Sequence, residues 1–265
     1  MAATIAPYRF TNAIVRRPAK SVTAGLRAVD RGAPTYEGVA AEHDAYVAAM
    51  RAAGVEVTVL PALEDFPDSV FVEDPALVFA EGAILMRPGA PTRLSEVREI
   101  SPVLRDMFET VIELSSPGHA EGGDILTTSK SVMVGLSDRT NPDGAKALQK
   151  CLQTLGRESR IVKTPPGVLH FKTDCSLLDE QTILSTKRLA ASGVFESFET
   201  VITPEGEEAA ANALRVNDIV MVGAEFPRTI EMLDKRGYDV FPLATSQIGK
   251  IDAGLSCMSL RWRRA

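Results

Sequence analysis

The sequence is poor in the residues that build disulfide frameworks, zinc sites and membrane spans. It contains three cysteines, three histidines and one tryptophan among 265 residues. The cysteines are odd in number and widely spaced, which argues against a disulfide scaffold and a structural zinc site. No apolar run approaches the roughly 18 residues of a membrane helix, and the first ten residues lack a secretory pattern, so we expect a cytoplasmic protein.

Basic residues are also in the minority. The chain has 29 Lys and Arg against 35 Asp and Glu, which gives a formal net charge of −6. A protein of this charge is not expected to bind nucleic acid or an anionic membrane surface. Hydrophobic residues make up 45% and charged residues 24% of the chain, and this balance is typical of a globular protein with a sizeable core.

A recurring unit of helix, strand and strand pair is the strongest pattern in the sequence. Apolar periodicity, caps and glycine stops predict five helices, which begin near Thr35, Leu94, Pro142, Lys187 and Pro227. Five units of about 53 residues fit a closed ring of blades, because closure leaves no end repeat that needs a cap. We therefore predict an α/β fold, a five-bladed propeller of ββαβ-type repeats around a central channel, with residues 1–265 forming one domain.

Polar residues recur where the central strands of this ring would begin. Asp74, Asp124 and Asp174 fall fifty residues apart, and Asn217 and Cys257 follow at shorter intervals. In a closed ring the inner ends of these strands converge on one axis. A functional site at that point would draw its residues from distant parts of the sequence.

The three cysteines differ in their predicted surroundings. Cys151 lies on the apolar stripe of a helix and Cys175 inside an apolar strand, where a free cysteine packs as a small hydrophobic residue. Cys257 lies in a predicted strand at 254–262 and shares its more polar face. For Cys257 a structural role and a nucleophilic role both remain open on this pattern alone.

The three histidines also separate by position. His43 lies on the apolar stripe of the first helix and is expected to be a hydrogen-bonded core residue. His119 lies in a loop, which by itself indicates little. His170 comes just before a central strand, a position that directs it toward the convergence point, although a structural role remains open.

Three carboxylates lie in or next to a predicted apolar strand at 69–79. Glu73 and Asp74 are within it, and Asp68 directly precedes it. Buried acids need partners, so this cluster indicates a cation held in the cavity. The alternative is an internal pairing with Arg or Lys.

Further candidates lie after the first two strand pairs and before a glycine pair. Glu121 precedes two glycines, which allow close backbone approach at the carboxylate, although a hairpin with a solvated acid would look the same. Arg93 and Arg139 could clamp a substrate carboxylate, or they could be exposed surface residues.

Taken together, these blocks resemble the dimethylarginine dimethylaminohydrolase family over nearly the whole chain. The resemblance rests on the segments from Asp68 to Asp74, Arg87 to Arg93, Glu121 to Asp124, Val134 to Asn141, His170 to Lys172 and Asp252 to Cys257. It implies the pentein fold, a five-bladed α/β propeller. It also implies hydrolysis of Nω-methylated arginines to citrulline plus methylamine or dimethylamine, and a link to nitric oxide regulation.

The resemblance assigns roles to individual residues. It implies that Cys257 is the nucleophile, His170 the general acid and base, and Glu121 the carboxylate that orients the imidazole. The implied substrate contacts are Asp74 on the guanidinium, Asp68, Arg93 and Arg139 on the amino acid end, Glu73 as a second acid, Ile251 through its backbone, and Leu26 in a mobile lid. The partner is a small molecule, no metal or organic cofactor is implied, and the chain acts as a monomer or homodimer.

Related activities on the same fold remain alternatives. Arginine deiminases typically carry an acid two residues after the catalytic histidine, where this chain has Lys172. With fewer opposing acids, a pocket can accept methyl groups that have no N–H to donate. An arginine deiminase, an amidinotransferase or a non-catalytic pentein binding module are the other possible functions.

Overall fold

The computed structural model describes residues 6–264, and in this range helices and small sheets alternate along the chain. There are five sheets of three strands. The helices are α1 (Tyr36–Ala52), α2 (Glu96–Met107), α3 (Pro142–Thr154), α4 (Lys187–Ala190) and α5 (Pro227–Lys235). The strands are β1 (Asn12–Arg16), β2 (Glu56–Leu60), β3 (Ala76–Phe79), β4 (Gly82–Leu85), β5 (Val111–Glu113), β6 (Ile125–Thr127), β7 (Val132–Leu136), β8 (Ser159–Lys163), β9 (Cys175–Leu177), β10 (Thr182–Ser185), β11 (Glu199–Ile202), β12 (Leu214–Val216), β13 (Ile219–Gly223), β14 (Asp239–Leu243) and β15 (Leu260–Trp262).

The four sheets from β3 to β14 share one plan. In each, the middle strand pairs antiparallel with the strand before it and parallel with the strand after it. In the first of them Ile84 pairs with Leu77 across a hairpin and with Ile112 beyond α2. This order follows from connection length, because a short turn can join antiparallel strands whereas a parallel partner needs a long crossover.

The two ends of the described chain complete the remaining sheet. β1 pairs antiparallel with β15 and parallel with β2, so that Ala13 lies opposite Arg261 on one side and Val57 on the other. The last strand therefore closes the ring on the first. The predicted five-unit α/β propeller, the pentein fold, is confirmed.

Local capping signals account for where two of the helices begin. The hydroxyl of Thr35 accepts a hydrogen bond from Gly38 N at 3.1 Å, and Asn141 Oδ1 accepts one from Gly144 N at 2.8 Å. Each satisfies a backbone N–H that has no partner within the first turn. Pro142 adds a fixed φ at the first helical position of α3.

The Ser101-Pro102 pair predicts an interruption of the helical stretch from about Leu94 to Phe108, and the structure contradicts this prediction. α2 runs through Pro102 without a break. The proline removes one backbone hydrogen bond, yet Ile100 and Leu104 on either side are fully buried against the sheet of β3, β4 and β5. Their burial outweighs the local cost, because packing of an apolar face contributes most of a helix's stability in a folded protein.

The helices cover their sheets with apolar stripes. In α3 the buried residues Ala145, Leu148 and Leu152 pack with Ile125 and Val134 of β6 and β7. The spacing of three and four along α3 places these side chains on one face. Because this face packs on the sheet, α3 lies on the outer side of its blade, and the inner strand of the blade lies nearer the axis.

Two segments predicted as long strands have a different structure, and both reach the axis. The range 69–75 forms turns, and only Ala76–Phe79 is a strand. In the turns before this strand, the carbonyl groups of Asp68 and Phe71 accept hydrogen bonds from the Arg93 guanidinium, at 3.2 and 2.9 Å, instead of from a neighbouring strand. Similarly, Leu255–Met258 is a 3-10 helix that precedes β15.

The recurring polar residues have separate functions in the fold. Asp124 accepts hydrogen bonds from Phe171 N at 2.8 Å and Thr140 Oγ1 at 2.6 Å, so it links the second and third sheets. Asp174 pairs with Arg188 of α4. The prediction for Asn217 is wrong, because it lies at positive φ in the β12–β13 turn and bonds to the backbone of Phe10.

Within residues 6–264, no helix is both long and apolar enough to cross a membrane.

His43 is buried on α1 as predicted, but its hydrogen bonding is not as expected. Its side chain is 1% exposed, and within the described chain neither ring nitrogen has a hydrogen-bond partner. Burial lowers the pKa of His43 to about 4 from an ordinary value of 6.5, with the nearby Asp44 opposing and Arg17 adding to the effect. The ring is therefore neutral at pH 7.

This burial predicts an acid-sensitive stability. As pH falls from 6.5 to about 4, the unfolded chain takes up a proton that folded His43 refuses, so the free energy of unfolding falls by roughly 3 kcal/mol. His43→Leu should remove this loss. Urea unfolding of both proteins at pH 7 and pH 4.5 measures the difference, and parallel losses in the two proteins would contradict the prediction.

Candidate active site

Side chains from several blades meet in a cavity of about 50 Å³, here called the small cavity. Most of the predicted site residues line it, namely Leu26, Asp68, Asp74, Arg93, Arg139, His170, Ile251 and Cys257. The other two, Glu73 and Glu121, are buried and hydrogen-bonded to residues around it. The structure thus brings the predicted residues together, although their roles in a reaction stay predictions.

The imidazole of His170 is held by Glu121. The distance between His170 Nε2 and Glu121 Oε2 is 2.6 Å, and the Glu121 side chain is inaccessible to solvent. The other oxygen of Glu121 accepts hydrogen bonds from the backbone N–H groups of Gly89 at 2.9 Å and Ala90 at 3.2 Å. These contacts fix the carboxylate, which in turn fixes the plane and the donor nitrogen of the imidazole.

The second glycine after Glu121 provides the space for this ring. A Cβ at Gly123 would lie 2.8 Å from Cγ of His170 and 3.0 Å from Asp74 Oδ1. The backbone N–H of Gly123 donates to the same Asp74 oxygen at 3.0 Å. The glycine pair noted in the sequence therefore allows backbone, imidazole and carboxylate to touch at one point.

Electrostatics favour a protonated imidazole in this structure. Burial opposes the charge on His170, but the carboxylate of Asp74 and the hydrogen bond that His170 donates to Glu121 outweigh it and raise the pKa of His170 to about 9. The ring is consequently an imidazolium at neutral pH and has a proton to give. A leaving group that must depart as a neutral amine needs such a donor.

Cys257 lies in the 3-10 helix Leu255–Met258 that precedes β15, in a partly exposed position. Burial and the carboxylates of Glu73 and Asp74 raise the pKa of the Cys257 thiol to about 11, while Lys172 acts in the opposite direction. The thiol is therefore protonated while no cation occupies the cavity. A cation bound beside Asp74 would offset these negative charges and favour the thiolate.

The carboxylate of Asp74 lines the small cavity and is paired with a buried arginine. It forms an ion pair with Arg93 and accepts the hydrogen bond from Gly123. Burial works against its charge, yet Arg93 and His170 hold the pKa of Asp74 below its ordinary value. Asp74 is therefore ionised, and a substrate cation would meet a carboxylate.

Glu73 shows the internal pairing that the sequence left as an alternative. Its Oε1 forms ion pairs with Lys172 and, at 2.8 Å, with Arg261, and its Oε2 accepts from Ser256 Oγ at 3.1 Å. Two cations thus neutralise this acid from within the protein.

The two arginines predicted for the amino acid end are in different states. Arg93 is 3% exposed, and its guanidinium also donates to Glu96 at 2.7 Å. Arg139 is more accessible, with a side chain 23% exposed and an Nη1 that lies 3.4 Å from Glu121. Arg139 is therefore the cation with more freedom to turn toward a ligand, and contact of either residue with substrate stays a prediction.

A short segment lies over the small cavity and is held by two aspartates. Leu26 N donates to Asp68 Oδ1 at 2.9 Å, while Ala28 N and, at 2.9 Å, Arg31 Nη1 donate to Asp252. The structure therefore positions Leu26 where the predicted lid would be. Movement of this segment to admit a substrate stays a prediction.

A larger cavity of about 610 Å³ lies among the inner strands, but its lining lacks a comparable group of reactive side chains. Glu73 and Lys172 line it, whereas Asp74, His170 and Cys257 do not. Its cysteine, Cys175, is 1% exposed, and burial raises the pKa of that thiol well above the ordinary value. The chemistry therefore favours the small cavity over the larger one.

Asp74, Glu121 and His170 could also hold a metal ion, since one ligand atom from each lies within 4.8 Å of the others. The same three atoms have partners already, because Glu121 bonds to His170 and Asp74 pairs with Arg93. The expectation of a metal-free reaction stays a prediction.

Several residues around the site escaped the sequence analysis. Asn212 approaches the Cys257 sulfur, Glu96 pairs with Arg93, and Asp252 holds the segment over the cavity. The sequence carries no signal for Glu96, because a charged residue in the first turn of a helix is usually exposed to solvent. Asn212 could have been found, because it lies two residues before β12, as Asp74 lies two residues before β3.

The fold and the site together define a class. A thiol, an imidazole bound to a carboxylate, and an ionised aspartate converge near the axis of a five-bladed α/β propeller. These are the groups that a thiol-dependent enzyme of the pentein fold needs to act on a guanidinium.

Comparisons with known proteins identify the family. A family model described as eukaryotic N,N dimethylarginine dimethylhydrolase matches residues 31–159. N(G),N(G)-dimethylarginine dimethylaminohydrolase from Pseudomonas aeruginosa is 37% identical over 254 residues, which cover 96% of this chain and all of that protein. The Streptomyces coelicolor protein of the same name is 31% identical over 95% of this chain and 96% of its own length. This chain belongs to the dimethylarginine dimethylaminohydrolase family.

Solved structures agree with this assignment. A cysteine-to-serine mutant of the Pseudomonas aeruginosa enzyme, complexed with citrulline, superposes on this chain with a TM-score of 0.92. The match covers 96% of this chain and 100% of the mutant chain. A cyanobacterial arginine dihydrolase domain, 18% identical, gives a TM-score of 0.83 over 96% of this chain and 98% of its own, and indicates the shared fold.

Proposed function

We propose that the protein hydrolyses Nω-methylated arginines to citrulline and methylamine or dimethylamine, with Cys257 as nucleophile. The observation that carries the proposal is the hydrogen bond between His170 and fully buried Glu121, in a cavity that Cys257 also lines. An imidazolium and a thiol beside an ionised aspartate are the groups that this reaction requires. The relatives that bear this activity in their names support the same conclusion.

Binding of the substrate cation prepares the nucleophile. The guanidinium pairs with Asp74, whose carboxylate is ionised. The added positive charge offsets the carboxylates that keep the Cys257 thiol protonated, and the thiol releases its proton to solvent, because His170 is already protonated. The substrate therefore helps to activate the nucleophile that attacks it.

The reaction then proceeds in two halves. The Cys257 thiolate forms a bond to the central guanidinium carbon, and the C–N bond to the methylated nitrogen breaks as His170 gives that nitrogen its proton. This leaves a covalent S-alkylthiourea-type intermediate and a neutral amine. A water molecule then gives a proton to His170 and adds to the same carbon, the S–C bond breaks, and citrulline leaves.

The arrangement of acids favours a methylated substrate. Glu73 is neutralised by Lys172 and Arg261, so the pocket presents fewer free acceptors to the guanidinium than a deiminase with paired acids would. Nitrogens that carry methyl groups have fewer N–H donors to satisfy. An unsubstituted guanidinium would leave more donors without partners, and this mismatch disfavours plain arginine.

A substrate panel tests the proposed function. Citrulline formation is measured with arginine, monomethylarginine and asymmetric dimethylarginine at equal concentrations, with and without EDTA. We expect kcat/KM for the methylated substrates to exceed that for arginine by at least about 10-fold, with no effect of EDTA. Turnover of arginine alone would indicate a deiminase, and amidino transfer to an added amine without citrulline would indicate an amidinotransferase.

A non-catalytic binding module is the remaining alternative, and the cysteines discriminate against it. If Cys257 is a nucleophile, substrate should protect it from iodoacetamide while Cys151 and Cys175 stay unreactive in their buried positions. The proposal extends to the setting of the reaction. We infer that the chain forms one catalytic domain, acts in the cytoplasm as a monomer or homodimer, and influences nitric oxide regulation by removing close analogues of arginine.

A further inference from the structure

Asn212 lies beside the sulfur of Cys257. It follows the 3-10 helix Glu208–Ala211 and precedes β12, in the fourth of the five blades. Its Nδ2 is 3.9 Å from Cys257 Sγ. Among the side-chain N–H groups of residues 6–264, the Asn212 amide is the one that contacts this sulfur.

The orientation of the Asn212 amide is fixed by its other contacts. Ser256 N donates to Asn212 Oδ1 at 3.2 Å. Because a backbone N–H can only donate, the oxygen of the amide must face Ser256, and the NH₂ group must face the sulfur. The backbone at Gly254 packs against the same amide, so closely that a Cβ there would lie 2.3 Å from Asn212 Cγ.

The charges around Cys257 explain why such a donor is needed. Glu73 and Asp74, from the turns before β3, oppose a negative charge on the sulfur. Lys172, from the 3-10 helix before β9, favours it but is engaged with Glu73. His170 lines the same cavity with its proton shared with Glu121. A backbone hydrogen bond with Gly254 favours the thiolate as well. The Asn212 amide adds a side-chain donor that no carboxylate has taken.

We propose that Asn212 is a further catalytic residue, whose Nδ2–H donates to the Cys257 sulfur, stabilises the thiolate and holds it in the direction of attack. This proposal deepens the function proposed above and rests on it for the identity of the reaction. The contact itself concerns the thiol alone, so it can be tested without substrate.

Asn212→Asp is the discriminating variant, because it keeps an oxygen for Ser256 N and replaces the donor at the sulfur by an acceptor. At pH 8 we expect alkylation of Cys257 by iodoacetamide to slow by about 10-fold or more, since the rate follows the thiolate fraction. The pH profile of alkylation should move upward. With methylated arginine, kcat should fall about 10- to 100-fold while KM changes by less than about threefold.

Asn217→Asp is the matched control, because it introduces the same charge in an amide that bonds to the backbone of Phe10 and Ala53. Its alkylation profile should equal that of the unaltered protein. Asn212→Ala should slow alkylation less than Asn212→Asp does. A merely structural Asn212 would give the opposite result, because a loosened site exposes the thiol and speeds its alkylation.

Should Asn212→Asp fail to fold, Asn212→Ser provides a second test, since its shorter hydroxyl cannot serve both Ser256 N and the Cys257 sulfur as the amide does. Slower alkylation of Cys257 supports the proposal, and an unchanged or faster rate overturns it. The two proposals fail separately. Absence of citrulline from the unaltered protein would remove the proposed function, whereas a normal alkylation profile in Asn212→Asp would remove only the role of Asn212.

Discussion

Replacing Cys257 by serine is expected to leave a folded protein that forms citrulline from methylated arginine at least about 10⁴-fold more slowly. Serine fits the same space, so the fold should persist. Its hydroxyl is a weaker nucleophile and loses its proton far less readily beside Glu73 and Asp74, which already oppose ionisation of the thiol. The measurement is citrulline release by purified protein, with circular dichroism as the check on folding.

The other two cysteines are the matched controls for this prediction. Cys151 packs on α3 among Leu148 and Leu152, and Cys175 begins β9 with its Sγ donating to Phe171 O at 3.2 Å. Serine at either position should reduce stability and leave kcat within about threefold of the original value. A Cys257→Ser protein with full activity would remove the proposed mechanism.

The second large effect is expected at His170. His170→Gln should reduce kcat by about 10²- to 10⁴-fold, because the departing amine loses its proton donor and water loses its base. Glutamine is preferable to alanine here, since its amide can still donate to buried Glu121 and avoids an unpaired carboxylate. KM should change little, because Asp74 and not His170 binds the guanidinium in the proposal.

The pH dependence distinguishes this role from a structural one. In the unaltered protein, activity should fall on the alkaline side as His170, with a pKa of about 9, loses its proton. Residual activity of His170→Gln should lack this alkaline limb. Glutamine for His43 or His119 serves as control, and a variant of His170 that keeps both the rate and the pH profile would contradict the assignment.

The sequence predicts the blades of this fold well because their signals are local. Capping residues such as Thr35 and Asn141, and apolar stripes such as that of α3, depend on neighbours within a few positions. The period of the repeat then indicates a ring. The failures lie where long-range contacts override local pattern, as in α2, where burial of Ile100 and Leu104 carries the helix through Pro102.

The site was predictable in its members but not in its pairings. Motif order leads to Cys257, His170 and Glu121, because the chemistry needs those residue types. No local rule indicates that Arg93 is enclosed by Asp74 and Glu96, or that Lys172 neutralises Glu73, since these contacts depend on how the blades meet. The fourth blade shows the same limit, because even spacing indicates Asn217 whereas the structure brings Asn212 to the axis.

The central claim is that the Cys257 sulfur becomes bonded to the guanidinium carbon during turnover, and mass spectrometry of acid-quenched reactions tests it most directly. With asymmetric dimethylarginine, we predict a fraction of the protein heavier by the mass of the substrate minus that of dimethylamine. Peptide mapping should locate this increment on Cys257. Citrulline formed at full rate by protein that never carries this adduct, or an adduct on another residue, would contradict the account.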